Sequence, residues 1–252
     1  MDRRHYRPFV KTVASTLWAS SVIVARDLAG RLRPEDVDDV MHRWADQVYA
    51  HGEGRLTTIG ADQYAQASSA DGGAGRAWVV MTNHQSLLDV PTVVRSFPGR
   101  VRMVGKRELS RLPVWGHAMR ASGIVFVDRS DRGQSIAALE LAKTQLQGGT
   151  SIWIAPEGTR NHGDELGPLK KGGFHLARQL GIPIAPGWIE GTRHIVSPDS
   201  FGVHLHGQVT VRWGAPIDTS GVAEDELPAL MQQVRCSLLA LQAQSRSVVA
   251  AG

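Results

Sequence analysis

The chain has 252 residues, 42% hydrophobic and 21% charged, a composition that fits one large folded domain or two small ones and excludes a disordered or collagen-like polymer. Its single cysteine, Cys236, excludes an intrachain disulfide framework and fits a reducing compartment. The formal charge of +4 is unevenly placed: residues 1–33 carry seven basic groups against two acidic, which leaves the rest of the chain at −1. A basic end on a near-neutral body points to an anionic partner, either lipid or nucleic acid.

The first element in chain order is the uncharged stretch Thr12–Ala25, 14 residues long. As a helix it reaches roughly 21 Å, short of the roughly 30 Å hydrocarbon core of a bilayer. The charged segment that follows, "ARDLAGRLRPEDVDD", lacks the small-residue cleavage site of a signal peptide. The expectation is a helix lying in a membrane interface, with Leu17, Trp18, Val22 and Ile23 available to lipid; the alternative is a helix packed on its own domain. A second helix is expected over 34–50, opened by Pro34 and closed by Gly52, with Val37, Val40, Met41, Trp44 and Val48 on one face. These two helices give an N-terminal helical, membrane-associating segment over 1–54, before a main domain over 55–252.

After a turn-rich stretch at 68–75, strand-like and helix-like segments alternate. Apolar, β-branched runs occur at 77–82, 101–105, 123–128, 150–155 and 182–190. Helical spacing follows at 133–149, at 171–181 and in the C-terminal segment through Leu227, Met231, Val234, Leu238 and Leu241. "FGVHLHGQVTVRWG" alternates as a strand, which would put His204 and His206 on one face as a surface pair. Cys236 falls in the last helix and is expected to be a small buried side chain. The fold class is α/β, a mostly parallel sheet flanked by helices. Ligands in such sheets gather beyond the C-terminal ends of the strands.

Polar clusters stand at those ends. In "NHQSLLD", at 83–89, His84 and Asp89 are five residues apart across the start of a helix. A carboxylate that turns back on the imidazole fixes its tautomer, and the other ring nitrogen can then take a proton from an alcohol. An unperturbed histidine titrates near about 6.5, usable at neutral pH, and such a base typically contributes about 10²–10⁴ in rate. In "APEGTR", at 155–160, Pro156 and Gly158 make a turn that presents Glu157 and Arg160. Arg160 can grip a phosphate as a fork, and Glu157 can accept from a substrate hydroxyl or hold Arg160. Residues 100–132 carry eight basic groups against three acidic, a balance suited to a phosphate-bearing substrate.

Four blocks in order, "NHQSLLD", "GIVFVDR", "PEGTR" and "IPIAP", resemble the lysophosphatidic acid acyltransferases of the glycerolipid acyltransferase superfamily. "KRELSRLPVWGHAMRASG" and "LKKGGFHLA" are similar to that family too, and the likeness covers about residues 76–190. The resemblance implies an acyltransferase that moves a fatty acyl group from an acyl thioester to the free hydroxyl of lysophosphatidic acid, giving phosphatidic acid. Glycerol 3-phosphate, other lysophospholipids and lyso-ornithine lipid are alternative acceptors. It implies His84 as general base, Asp89 as its orienting carboxylate, and Arg129, Glu157, Gly158 and Arg160 as the acceptor site. Lys106 is a candidate donor to the developing oxyanion, with backbone N–H groups as rivals. Pro183 and Pro186 would shape the pocket wall. It implies no metal and no cofactor, acyl-coenzyme A or acyl-carrier protein being the donor substrate. The partners implied are membrane lipids and no nucleic acid, and the location is the cytoplasmic face of the cell membrane, peripheral or monotopic. Two departures, Ala155 where the family often has an aromatic and Asn161 where it often has serine, bear on pocket lining.

A serine hydrolase using Ser86 would need a G-x-S-x-G elbow, which the sequence lacks. A metal site on His204 and His206 lacks a third ligand at convincing spacing. A nucleic-acid-binding module would leave "NHQSLLD" and "APEGTR" without a purpose.

Overall fold

The computed structural model describes residues 6–65, 76–127, 132–163, 165–197 and 203–249. The expected turn at 68–75 and the strand residue Asp128 lie outside the described residues. Among the described residues, seven strands form one sheet in the order β1-β7-β6-β2-β5-β3-β4. They are β1 (Arg55–Ile59), β2 (Val79–Thr82), β3 (Val101–Lys106), β4 (Val125–Val127), β5 (Ser151–Ile154), β6 (Ile184–Glu190) and β7 (Gln208–Trp213). Every pairing is parallel except β6–β7. The mostly parallel α/β sheet expected from the sequence is therefore present.

The central strands are buried on both faces, which is why they read as continuous apolar runs. Alternation along the chain divides them between two cores. Trp78, Val80, Trp153, Ala185 and Ile189 pack on one side with helices α2 (Pro34–His51) and α3 (Asp89–Ser96). Val79, Met81, Ile152, Ile184 and Trp188 pack on the other. Helices α5 (Arg132–Gln147), α6 (Gly172–Leu180) and α8 (Leu227–Val249) cover that second side.

The expected boundary near residue 55 falls between α2 and β1, but the helices before it do not build a core of their own. Val37, Met41, Ala45 and Tyr49 of α2 belong to the first core. Arg102 of β3 reaches back to α2, its Nη1 donating to Asp38 Oδ1 at 2.6 Å. Helix α1 (Tyr6–Leu28) is 23 residues long, not 14, and is long and apolar enough to cross a membrane. One of its faces packs on α2 and on α4 (Trp115–Ala121), burying Ala19 and Ile23 with Val40 and Ala118. The other face exposes Val10, Val13, Leu17 and Trp18. Of the residues expected in lipid, Ile23 is thus turned into the protein.

Two further expectations are corrected. The strand near the C-terminus is confined to Gln208–Trp213, so His204 and His206 are not on a strand face; both are exposed, and His206 pairs with Glu53 at 3.1 Å. Cys236 is exposed. The buried stripe of α8 runs through Leu230, Val234, Leu238 and Leu241, and Cys236, two residues past Val234, sits well around the helix from it. Strand β1 escapes the sequence because it is an edge strand with almost no buried side chain to betray it.

Candidate active site

Strands β2, β3, β5 and β6 run parallel, so their C-terminal ends share one edge of the sheet. That topology brings together four segments distant in sequence: 83–89 after β2, Lys106 at the end of β3, 155–160 after β5 and 191–192 after β6. Asn83 pins the first of these. Its side-chain amide donates to the Ile189 carbonyl at 2.8 Å, and its Oδ1 accepts the Ile189 N–H at 2.7 Å, so a side chain extends the β2–β6 pairing where the backbone of β2 leaves it.

His84 and Asp89 meet as the sequence suggests. Asp89 opens α3 and is fully buried. Its Oδ2 lies 2.7 Å from His84 Nδ1 and accepts the backbone N–H groups of Gln85 at 2.7 Å and Ser86 at 2.9 Å. The start of a helix also favours a negative charge. With Nδ1–H donated to the carboxylate, Nε2 carries the lone pair. Nε2 has no hydrogen-bond partner among the described residues. The imidazole side chain is 19% exposed and stands edge-on against Trp153, with ring centroids 5.5 Å apart. Trp153 is itself held by its Nε1–H on Thr82 Oγ1 at 3.0 Å. The ring is thus held on one side by a carboxylate and packed at right angles to an aromatic ring.

Glu157 is placed differently from the expectation that it contacts substrate. It is buried, and three protein N–H groups occupy its carboxylate. Oε1 accepts from the His84 backbone at 3.3 Å; Oε2 accepts from Asn161 Nδ2 at 2.7 Å and from the Gly167 backbone at 3.0 Å. The Asn161 N–H donates to the His84 carbonyl at 2.7 Å. The "PEGTR" block therefore braces the "NHQSLLD" block. Asn161, which the sequence shows only as a departure in pocket lining, is half of that brace and does not line the cavity. The turn itself is local: Gly158 N–H closes onto the Ala155 carbonyl at 2.9 Å, with Pro156 second and Gly158, at φ +78°, fourth.

A cavity of about 510 Å³ opens beside the pair. His84, Lys106, Gly158 and Arg160 line it, and so does Ala155. The rest of its wall is largely apolar: Ile23, Val40, Met41 and Trp44 of the N-terminal helices and Ala118 of α4 contribute to it, together with Leu87, Met103 and Trp153 from the sheet and the turns beside it. Trp44 is locked across the α1–α2 seam by its Nε1–H on Thr16 Oγ1 at 2.9 Å. One cavity thus offers a base, cationic side chains and an apolar lining of a size suited to a small amphipathic molecule. Arg129 lies outside the described residues. Pro183 and Pro186 are buried at β6 and do not line the cavity, so they shape it only through the sheet. Ser86 is buried too, its hydroxyl donating to the Val196 carbonyl at 2.7 Å, which takes it out of play as a nucleophile.

Tyr49 lies behind the site, hydrogen-bonded to Thr92 at 2.5 Å on the helix that Asp89 begins. Burial pushes its phenol up to about 12. Among the described residues no three His, Cys, Asp or Glu side chains are grouped so as to hold a metal.

An imidazole backed by a buried carboxylate at the C-terminal edge of a parallel sheet, beside a largely apolar cavity with cationic groups, has the geometry to accept a proton from a hydroxyl. A sequence model described as Acyltransferase matches residues 55–190, and the chain belongs to that family. It is 37% identical over 165 residues to mouse 1-acyl-sn-glycerol-3-phosphate acyltransferase alpha, covering 65% of this chain and 58% of that protein. To the 1-acyl-sn-glycerol-3-phosphate acyltransferase of Saccharomyces cerevisiae it is 36% identical over 165 residues, 64% of this chain and 54% of that one. The chain thus spans less than three fifths of the length of these curated relatives. The crystal structure of the 1-acyl-sn-glycerophosphate (LPA) acyltransferase PlsC from Thermotoga maritima superposes with a TM-score of 0.76 at 21% identity, covering 96% of this chain and 95% of that one. That match shows the fold.

Proposed function

We propose that this protein transfers a fatty acyl group from an acyl thioester, on coenzyme A or acyl-carrier protein, to the free hydroxyl of lysophosphatidic acid, giving phosphatidic acid. The observation that carries the reading is the His84–Asp89 pair, its Nε2 unpartnered, in one cavity with Arg160, Lys106 and an apolar wall. His84 Nε2 takes the hydroxyl proton as the oxygen attacks the thioester carbonyl. The tetrahedral intermediate collapses with cleavage of the C–S bond, and the thiolate leaves with the proton from the imidazolium. Asp89 stabilises the imidazolium and keeps Nε2 aimed. Arg160 holds the acceptor phosphate, and Lys106 faces the carbonyl oxygen as charge develops. The apolar wall takes acyl chain. Much of the rate comes from holding two substrates in reacting geometry. The chemistry uses no cofactor beyond the donor.

The same reading places the protein on the cytoplasmic face of the cell membrane, peripheral or monotopic. The inner face of α1 lines the cavity, so the helix serves the site while packed along the protein. Its outer face presents Val10, Val13, Leu17 and Trp18, and Arg7, Lys11, Arg26, Arg31 and Arg33 stand near its ends, a pattern suited to an anionic bilayer surface. The exposed Leu112, Val114 and Trp115 add to the apolar surface near the cavity, whose lining includes Trp115.

The test is acyl transfer from oleoyl-coenzyme A to lysophosphatidic acid in mixed micelles, followed as free thiol, beside His84→Ala. Thiol release that needs the acceptor and falls at least 10²-fold in the variant is the expected result, from the usual contribution of a general base of about 10²–10⁴. Acceptor-independent release, or full activity in His84→Ala, overturns the reading.

A further inference from the structure

Asp89 draws its partners from two parts of the chain. Oδ2 is held within the 83–89 stretch by His84, Gln85 and Ser86. Oδ1 is held from 103 residues away, by the Thr192 hydroxyl at 2.5 Å. Thr192 is fully buried and opens the short helix α7 (Thr192–Ile195) after β6. The residue before it makes this approach possible. Gly191 has φ +96°, and a Cβ there would lie 2.1 Å from the Gln208 carbonyl oxygen, so a side chain at 191 would drive the two strands apart. The Asn83–Ile189 pair already fixes β6 against the same stretch, so the backbone that carries Thr192 arrives in register with Asp89.

We propose that Thr192 is a positioning residue for the general base: its hydroxyl holds Oδ1, fixes the plane of the Asp89 carboxylate and draws negative charge away from the oxygen that faces His84. This rests on the reading of His84 as the base. Thr192 does not line the cavity, so it acts through Asp89 and not on substrate. Without the hydroxyl, Oδ1 is a charged oxygen with no partner in a dry site, while three donors still keep Oδ2 in place. The extra charge on Oδ2 favours the protonated imidazole, and a protonated His84 is no base.

The test is an NMR titration of the histidine side chains in the wild-type chain, Thr192→Val and Thr192→Ser, with His84→Ala to assign the resonance. The titration midpoint of His84 is expected to rise by about half a pH unit or more in Thr192→Val and to return to the wild-type value in Thr192→Ser. The acidic limb of the kcat/KM profile should move up with it, so that on that limb, below the midpoint, kcat/KM falls about threefold for each half unit of rise while KM for the acceptor stays unchanged. A residue that merely packs would lower stability without moving the midpoint. If Thr192→Val does not fold, Thr192→Ala leaves space at Oδ1 and is read by the same midpoint. A folded variant lacking the hydroxyl with an unchanged or lowered midpoint overturns the proposal. The titration needs no turnover, so a wild-type chain inactive on lysophosphatidic acid would sink the acyl-transfer reading and leave this one to be decided separately.

Discussion

Glu157→Gln separates a brace from a substrate contact. The substitution keeps the shape and replaces one carboxylate oxygen with an NH₂ group. Turned towards Oε2, that group would oppose two donors, Asn161 Nδ2 and the Gly167 N–H; turned towards Oε1, it opposes only the His84 N–H. The glutamine therefore takes the second orientation, which removes the longest bond, 3.3 Å, and leaves His84 with donor facing donor. A buried donor left without an acceptor costs about 1–3 kcal/mol, and the two surviving bonds, no longer to a charge, weaken by about 1 kcal/mol each. The total is about 3–5 kcal/mol, or roughly 6–20 °C in Tm for a domain of this size. Released on one side, the His84 backbone lets the imidazole drift, and kcat should fall about 10–10²-fold while KM for the acceptor changes less than about twofold. Differential scanning fluorimetry and the thiol assay read both effects. A variant with unchanged Tm and a tenfold higher KM would show that Glu157 binds substrate and would refute the bracing argument.

Two further outcomes follow from buried polar groups. Arg102→Ala removes a guanidinium that donates to Asp38 and, through Nε, to the Ser122 carbonyl at 2.7 Å. Breaking a buried ion pair costs about 3–5 kcal/mol, and because Arg100 still pairs with Asp38 the loss should sit near about 3 kcal/mol; a urea midpoint within error of wild type would refute this. Tyr49 contributes in alkali. An unfolded tyrosine ionises near about 10 and the buried one holds its proton to about 12, so above pH 10 the unfolded chain binds fewer protons and stability falls as pH rises. The gap between wild type and Tyr49→Phe in urea unfolding should be constant below about pH 9 and shift against wild type by about 2 kcal/mol by pH 12; parallel curves would refute it.

The sheet class and the location of the candidate site were already readable in the residues. Strands buried on both faces must be apolar, and strand ends in a parallel sheet must be polar where the chain turns, so 77–82 followed by "NHQSLLD" and 150–155 followed by "APEGTR" were legible as strand and site. The His84–Asp89 pair was legible because both partners lie within one turn of the chain. What needed the tertiary structure was everything joined across strand order. Glu157 reads as a substrate ligand in its own block, and only the adjacency of β2 and β5 turns it onto the His84 backbone. Thr192 carries no local signal, since its partner is 103 residues away. Cys236 and β1 were misread or missed because side-chain exposure depends on which neighbours the fold supplies. Helix α1 shows the same limit. Its composition announces an apolar helix, but which of its faces meets the cavity and which stays open was decided by the packing of α2 and α4, because hydrophobicity has no direction until there is a surface to bury it against.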